Sequence, residues 1–200
     1  MMRHLVGLER PIGGDIRIVG MGVPRLDVGR PPYGVMFQSG ALFGSMTVGE
    51  NVALSLEQYT KLPGDAVAAV VLAKLRLVGL EGAVDKFPSE ISGGMKKRAA
   101  IARALALEPE LIFLDEPSAG LDPVSAVELD ELILIMNKGL GLTVVLVTHE
   151  LESIFKIANR CVMLDKESRS IIAEGDPRTL RDTSKDPRVH GFFNRLAKEA

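Results

Sequence analysis

Three short runs of consecutive apolar residues stand out in the second half of the chain: LIFLD at 111–115, LTVVLVT at 142–148 and CVMLD at 161–165. Runs of this length, bounded by turn residues, predict strands buried on both faces. Residues 124–138 and 150–158, which separate them, carry apolar side chains at helical spacing. Strand, helix, strand, helix, strand predicts a parallel sheet of α/β type. Upstream, Val67, Val70, Val71, Lys74 and Leu75 repeat with a period near 3.6 inside a helical region running from about 51 to 107. The first fifty residues are cut repeatedly by Gly and Pro. After MMRHLVGL comes the turn cluster RPIGGD, a short strand predicted over 15–19, a Gly/Pro-rich loop and an apolar stretch over 33–37. Residues 39–49 are uncharged and rich in Gly and Ser, which suits a loop packed against another surface.

Composition narrows this picture. The chain has 200 residues, 46% hydrophobic and 25% charged, the balance of a folded domain. With 24 Lys plus Arg against 26 Asp plus Glu, the net charge of −2 offers no bulk attraction for nucleic acid. A lone Cys161 excludes an internal disulfide and suits a cytosolic chain. No apolar run approaches the ~20 residues of a membrane span. The best candidate, residues 66–80, is broken by Lys74 and Arg76. Any service to a membrane is therefore expected to pass through a partner.

Three motifs carry chemistry. In LIFLDEP (111–117), Asp115 emerges at the C-terminal end of a buried strand, where open α/β sheets place ligands, and Glu116 follows directly. One carboxylate can hold Mg²⁺ through water while the other orients and deprotonates an attacking water. The plain alternative is a strand ending in two solvated acids. In ISGGMKKR (91–98), Ser92 is a natural N-cap, and Gly93 and Gly94 leave backbone N–H groups uncovered at a helix start. That is a ready anion site, or simply a capped helix. In VTHE, His149 ends the strand of 142–148 and could touch a terminal phosphate, or be an ordinary surface histidine.

The order Q, SGG, LDEP, GLDP, H along the chain resembles the ATP-binding subunits of ABC transporters. Gln38 in FQSG matches the Q-loop, ISGGM the signature, LIFLDEP the Walker B segment, SAGLDP (118–123) the D-loop and His149 the H-loop. FQSGALFGSMTVGENVALSL, Met95 in the signature and the ending DPRV are similar to the ATPase of the Mla (maintenance of lipid asymmetry) type. The resemblance implies a P-loop NTPase-like α/β fold, with a parallel sheet core and an inserted helical subdomain over about 52–107, in a single nucleotide-binding domain over 1–200. It implies ATP and Mg²⁺ as cofactors, with Asp115 and Gln38 at the metal, Glu116 as general base and His149 at the γ-phosphate. Ser92, Gly93 and Gly94 would clamp the nucleotide across a dimer, and Asp122 would couple the two sites. Implied partners are a second ATP-binding subunit, an integral-membrane permease and an MCE-type lipid-binding protein, with no nucleic acid. The permease would hold the chain peripherally on the inner, cytoplasmic face of the membrane, with its coupling helix near residues 38–51. Phospholipid transport across the bacterial envelope would be the task.

The family's phosphate-binding loop, GxxxxGK[ST], does not occur in these 200 residues, and MMRHLVGLERPIGGDI matches the helix that leaves it. The resemblance thus implies a chain that is N-terminally truncated, a fragment or a misread start. Alone it is expected to bind ATP weakly without turnover, and strands such as 111–115 or 142–148 are expected to have unpaired edges. A non-catalytic subunit that lends its signature to a full-length partner, or simply binds a permease, is the alternative. A DNA-maintenance ATPase of related pattern is disfavoured, because too little chain separates Gln38 from Ile91 to hold the long coiled coils of those proteins, and no basic face is apparent.

Overall fold

The computed structural model describes residues 1–25 and 29–196, whose contacts gather into two compact units, Met1–Thr148 and His149–Ala200. In the first unit, strands β1 (Gly34–Met36), β2 (Leu111–Asp115) and β3 (Thr143–Val147) form a parallel sheet in the order β1-β2-β3. Phe113 lies opposite Val35 on one side and Val145 on the other. Alternation along a strand sends successive side chains to opposite faces. On β2 both faces are buried, with Leu111 and Phe113 on one and Ile112 and Leu114 on the other. Leu111 and Phe113 pack with Met2, Val6 and Tyr33, so the short helix α1 (Met2–Leu5) closes one side of the sheet. Tyr33 meets Phe113 edge to face at 5.4 Å and donates its hydroxyl to the Val6 carbonyl at 2.9 Å.

Four helices complete this unit: α2 (Val48–Tyr59), α3 (Gly64–Leu77), α4 (Gly93–Ala104) and α5 (Pro123–Leu140). Three of the starts have a side-chain cap. Thr47 caps α2 in a reciprocal capping box with Glu50, as the Thr-x-x-Glu spacing requires. Ser92 caps α4, accepting from the Met95 N–H at 3.2 Å, as expected from the sequence. Asp122 caps α5, with Pro123 at the first helical position, and Gly141 ends that helix in the left-handed conformation. Helix α4 buries Ala99, Ala100, Ile101 and Ala102, and the three alanines let it lie close to the sheet. The closest approach is at Gly34, where a Cβ would stand 2.3 Å from the Ala104 carbonyl oxygen.

The second unit holds α6 (Leu151–Ile157), strands β4 (Cys161–Asp165) and β5 (Ser170–Gly175), and helices α7 (Pro177–Thr183) and α8 (Pro187–Phe193). Ile154, Val189 and Phe193 form its core, with Phe155, Leu180 and Phe192 against them. The apolar residues of the tail thus pack on their own unit, while Leu196 stays exposed.

Three expectations need correction. Residues 15–19 form no strand; the backbone there makes only an isolated bridge between Ile18 and Gly22, because the tight turn of 18–22 closes on itself. The run CVMLD is a strand but pairs antiparallel with β5 rather than joining the parallel sheet. Its burial alternates, with Val162 and Leu164 exposed, so a run of apolar residues does not mark a doubly buried strand here. Of the two strands expected to show an open edge, β2 is paired on both sides. Among the described residues it is β3 that lies at the sheet's edge, with Val144 to Val147 half-buried.

Gly34→Ala is expected to force β1 and α4 apart, because the obstructing atoms are backbone. The cost should be about 1–3 kcal/mol, read as a lowered urea midpoint at unchanged slope.

Candidate functional site

The C-terminal ends of β1 and β2 deliver three of the candidate residues of the first unit. Gln38 follows β1 by two residues, Asp115 is the last residue of β2, and Glu116 begins the turn beyond it. Asp115 and Glu116 are both half-buried. Burial pushes the Asp115 carboxyl above its ordinary pKa, and the neighbouring Glu116 carboxylate pushes the same way. Glu116 has a φ of +46°, a conformation that non-glycine residues seldom adopt. Its N–H donates to the Val147 carbonyl at 2.8 Å, which anchors the turn to β3. Unusual backbone held by its surroundings is a recurrent property of functional sites.

The Q-loop that starts at Gln38 is tied down from α2 and α4. Asn51 is fully buried on α2. It accepts from the Phe43 N–H at 2.7 Å and donates to the carbonyls of Phe43, Met46 and Thr47 at 3.1, 3.1 and 2.8 Å. Arg103, at the end of α4, donates to the carbonyls of Gly40 and Ala41 at 2.8 and 2.6 Å. Lys97, from the middle of α4, donates to the carbonyl of Gln38 and, at 3.1 Å, to that of Glu116. Burial lowers the Lys97 pKa, against the opposing pull of the Glu116 and Asp115 carboxylates.

The signature residues form a second cluster. Ser92, Gly93 and Gly94 stand at the start of α4, beside the start of α5. A Cβ on Gly94 would lie 3.7 Å from Ser125, and one on Gly93 would lie 3.9 Å from Leu121, both ordinary contacts. Neither glycine has a positive φ. Among the described residues, nothing therefore demands glycine at either position. Asp122 accepts from the N–H groups of Val124 and Ser125 and, at 2.5 Å, from the Ser125 hydroxyl. The Ser125 hydrogen bonds hold its carboxyl below the ordinary value. His149 opens the second unit, exposed, with Nε2 3.6 Å from a Glu150 carboxylate oxygen.

The structure thus brings Gln38 and Glu116 together through Lys97, and Gly93 and Gly94 together with Asp122 through Leu121 and Ser125. Lys97, Arg103 and Asn51 are absent from the sequence-based site. Lys97 had a signal: it shares the buried face of α4 with Ala100 and Ile101 at i+3 and i+4, and a lysine on an apolar stripe calls for a partner. A groove of about 440 Å³ adjoins the Q-loop, lined by Phe37, Phe43, Leu54, Tyr59, Arg103 and Leu107. Ser55, also on its wall, has a buried hydroxyl with no hydrogen-bond partner.

Residues 1–119 match the family model described as ABC transporter. The chain belongs to the ABC transporter ATP-binding family. It is an ATP-binding and ATP-hydrolysing subunit of that kind, on an α/β fold. It is 41% identical, over 98% of its length and 74% of the relative's, to the intermembrane phospholipid transport system ATP-binding protein MlaF of Escherichia coli K12. To the probable ribonucleotide transport ATP-binding protein mkl of Mycobacterium tuberculosis it is 40% identical over 96% of this chain, spanning 54% of that longer protein. Among solved structures, the ATP-binding cassette MJ0796, a dimer in a post-hydrolysis state bound to ADP and Pi, superposes with a TM-score of 0.74. That match has 29% identity and covers 84% of this chain and 75% of that one. Among the described residues, no helix of this ABC subunit is long and apolar enough to cross a membrane.

Asn51→Ala is expected to strip the loop of residues 43–47 of its buried amide. Leaving those backbone groups unpartnered should cost about 2–3 kcal/mol, measured as a fall in the urea midpoint.

Proposed function

We propose that this subunit powers phospholipid transport across a bacterial envelope, working as one of a pair of ATP-binding subunits on an integral-membrane permease. One observation carries the reading: at the C-terminal end of the parallel sheet, a single ammonium clasps the turn of Glu116 and the start of the Q-loop, beside the half-buried Asp115. The MlaF name of its relatives supplies the substrate class.

Asp115 and Gln38 are the residues to hold Mg²⁺. A carboxylate raised by burial and by a neighbouring carboxylate is short of positive charge, which suits a divalent cation. Among the described residues no group of three His, Cys, Asp or Glu is gathered, and Asp115 and Gln38 would share the ion with phosphate oxygens and water. Bound with nucleotide, the ion would neutralise charge on the phosphates. Glu116 would orient and deprotonate the attacking water. Ser92, Gly93 and Gly94 would present backbone N–H groups to the phosphates of a nucleotide held by the other subunit. Asp122, at the neighbouring helix start, would report one site to the other, and His149 takes the terminal phosphate on the strength of its motif alone. The apolar groove beside the Q-loop, with the orphaned Ser55 hydroxyl, would receive a short helix of the permease and hold the subunit on the inner face of the membrane. An MCE-type lipid-binding protein completes the proposed machine.

The test uses the complex carried by a tagged copy of this chain from its source cells, put back into phospholipid vesicles. Glu116→Gln should keep ATP binding and lower hydrolysis and lipid transfer by about 10²–10⁴. Hydrolysis that persists in this variant would overturn the assignment of Glu116 as the group that activates the water. Gly94→Ala gives a sharper separation of fold from function. Its unfolding midpoint should hold or rise, since Ala is the better helix former by up to about 1 kcal/mol, while ATP hydrolysis by the complex falls by about tenfold or more.

A further inference from the structure

Lys97 is only 8% exposed, and a buried ammonium is costly unless its hydrogen-bonding capacity is used. It is used on two backbone carbonyls that are remote from each other in sequence, those of Gln38 and Glu116. Charge-assisted bonds of this kind are stronger than neutral ones and short enough to fix position. The Glu116 peptide is thereby held at both ends, its N–H on Val147 and its carbonyl on Lys97, across a residue at a φ of +46°. Arg103 pins the same loop further along, at Gly40 and Ala41. Helix α4, whose first residues are Gly93 and Gly94, therefore grips the Q-loop at two points and the Glu116 turn at one.

We infer that Lys97 is a positioning residue that keeps the Glu116 turn and the Q-loop in register with each other and with the signature helix. It touches neither nucleotide nor water in this role; it acts through the backbone of two residues that do. The inference rests on the proposed roles of Gln38 and Glu116. What it adds is the route: displacement of α4 reaches both loops through one side chain, so the two cannot respond independently. Arginine, which also carries a fixed charge and several donors, should substitute in part, whereas methionine fills the volume and donates nothing.

The experiment compares wild type, Lys97→Met and Lys97→Arg in the same vesicle-bound complex, using amide hydrogen exchange and steady-state ATP hydrolysis. Lys97→Met should speed exchange about tenfold or more in both residues 38–41 and 116–119, with α3 and the β4–β5 pair unchanged. It should lower kcat by about 10–100-fold with KM shifted less than about twofold. Lys97→Arg should recover most of the protection and of kcat. Should Lys97→Met fail to assemble, Lys97→Gln, which keeps a donor without the charge, replaces it with the same expectations at smaller size. Exchange that stays at the wild-type rate in either loop, or that rises while kcat is unchanged, overturns the inference. Exchange is read without turnover. If Glu116→Gln still hydrolyses ATP, the catalytic reading fails, while the exchange data still decide whether Lys97 binds the two loops together.

Discussion

Everything near the candidate site depends on the burial of β2 from both sides. With Leu111 and Phe113 covered on one face and Ile112 and Leu114 on the other, the strand can carry an ionisable side chain only where it leaves the core. That place is Asp115, and its partial burial sets the electrostatic tone of the site: burial and the neighbouring Glu116 carboxylate both raise its pKa above the ordinary value. Flanking pairing with β1 and β3 then decides what can stand beside it, the Q-loop on one side and the Val147 carbonyl on the other. The neighbours are fixed by register, so the site inherits its precision from the sheet.

What could be read from the sequence was whatever the chain states locally. The three apolar runs are strands, Ser92 is a cap, and the helices of 124–138 and 150–158 lie within a few residues of α5 and α6, because periodicity, caps and breakers act over a few residues. The misses share a cause. Residues 15–19 have strand composition, yet Gly20 and Gly22, both at positive φ, turn the chain back on itself before a ladder can form. Whether CVMLD joins the parallel sheet depends on which strand lies next to it, and the sequence of β5, a short Ile171–Ile172 pair between Arg169 just before the strand and Glu174 within it, does not look like a partner in advance. Lys97 and Asn51 act on backbone groups, and backbone carbonyls have no residue type to recognise. Their importance becomes visible only when the loop they hold has a position.

The two clusters also differ in how they are made. Around Glu116 and Gln38 the chain supplies its own partners, down to a buried ammonium for two carbonyls. At Gly93 and Gly94 the described neighbours are Leu121 and Ser125, and the Ser125 hydroxyl is already given to Asp122. The first cluster is complete as a piece of protein and the second is open.

The contact between Gly34 and Ala104 has a mechanical consequence. With no Cβ on Gly34, the C-terminal end of α4 rests directly against the backbone of β1, so a tilt of the helix about that contact would move its far end most. Its 12 residues make a lever about 18 Å long, with the signature glycines at the far tip and Lys97 a little beyond the middle. A tilt of about 5° would carry the tip through about 1.5 Å and Lys97 through about 0.9 Å on the same rise per residue. For a tilt about Gly34, the ratio between the movement of the helix tip and that of the loops it holds is set by where along α4 the lysine stands.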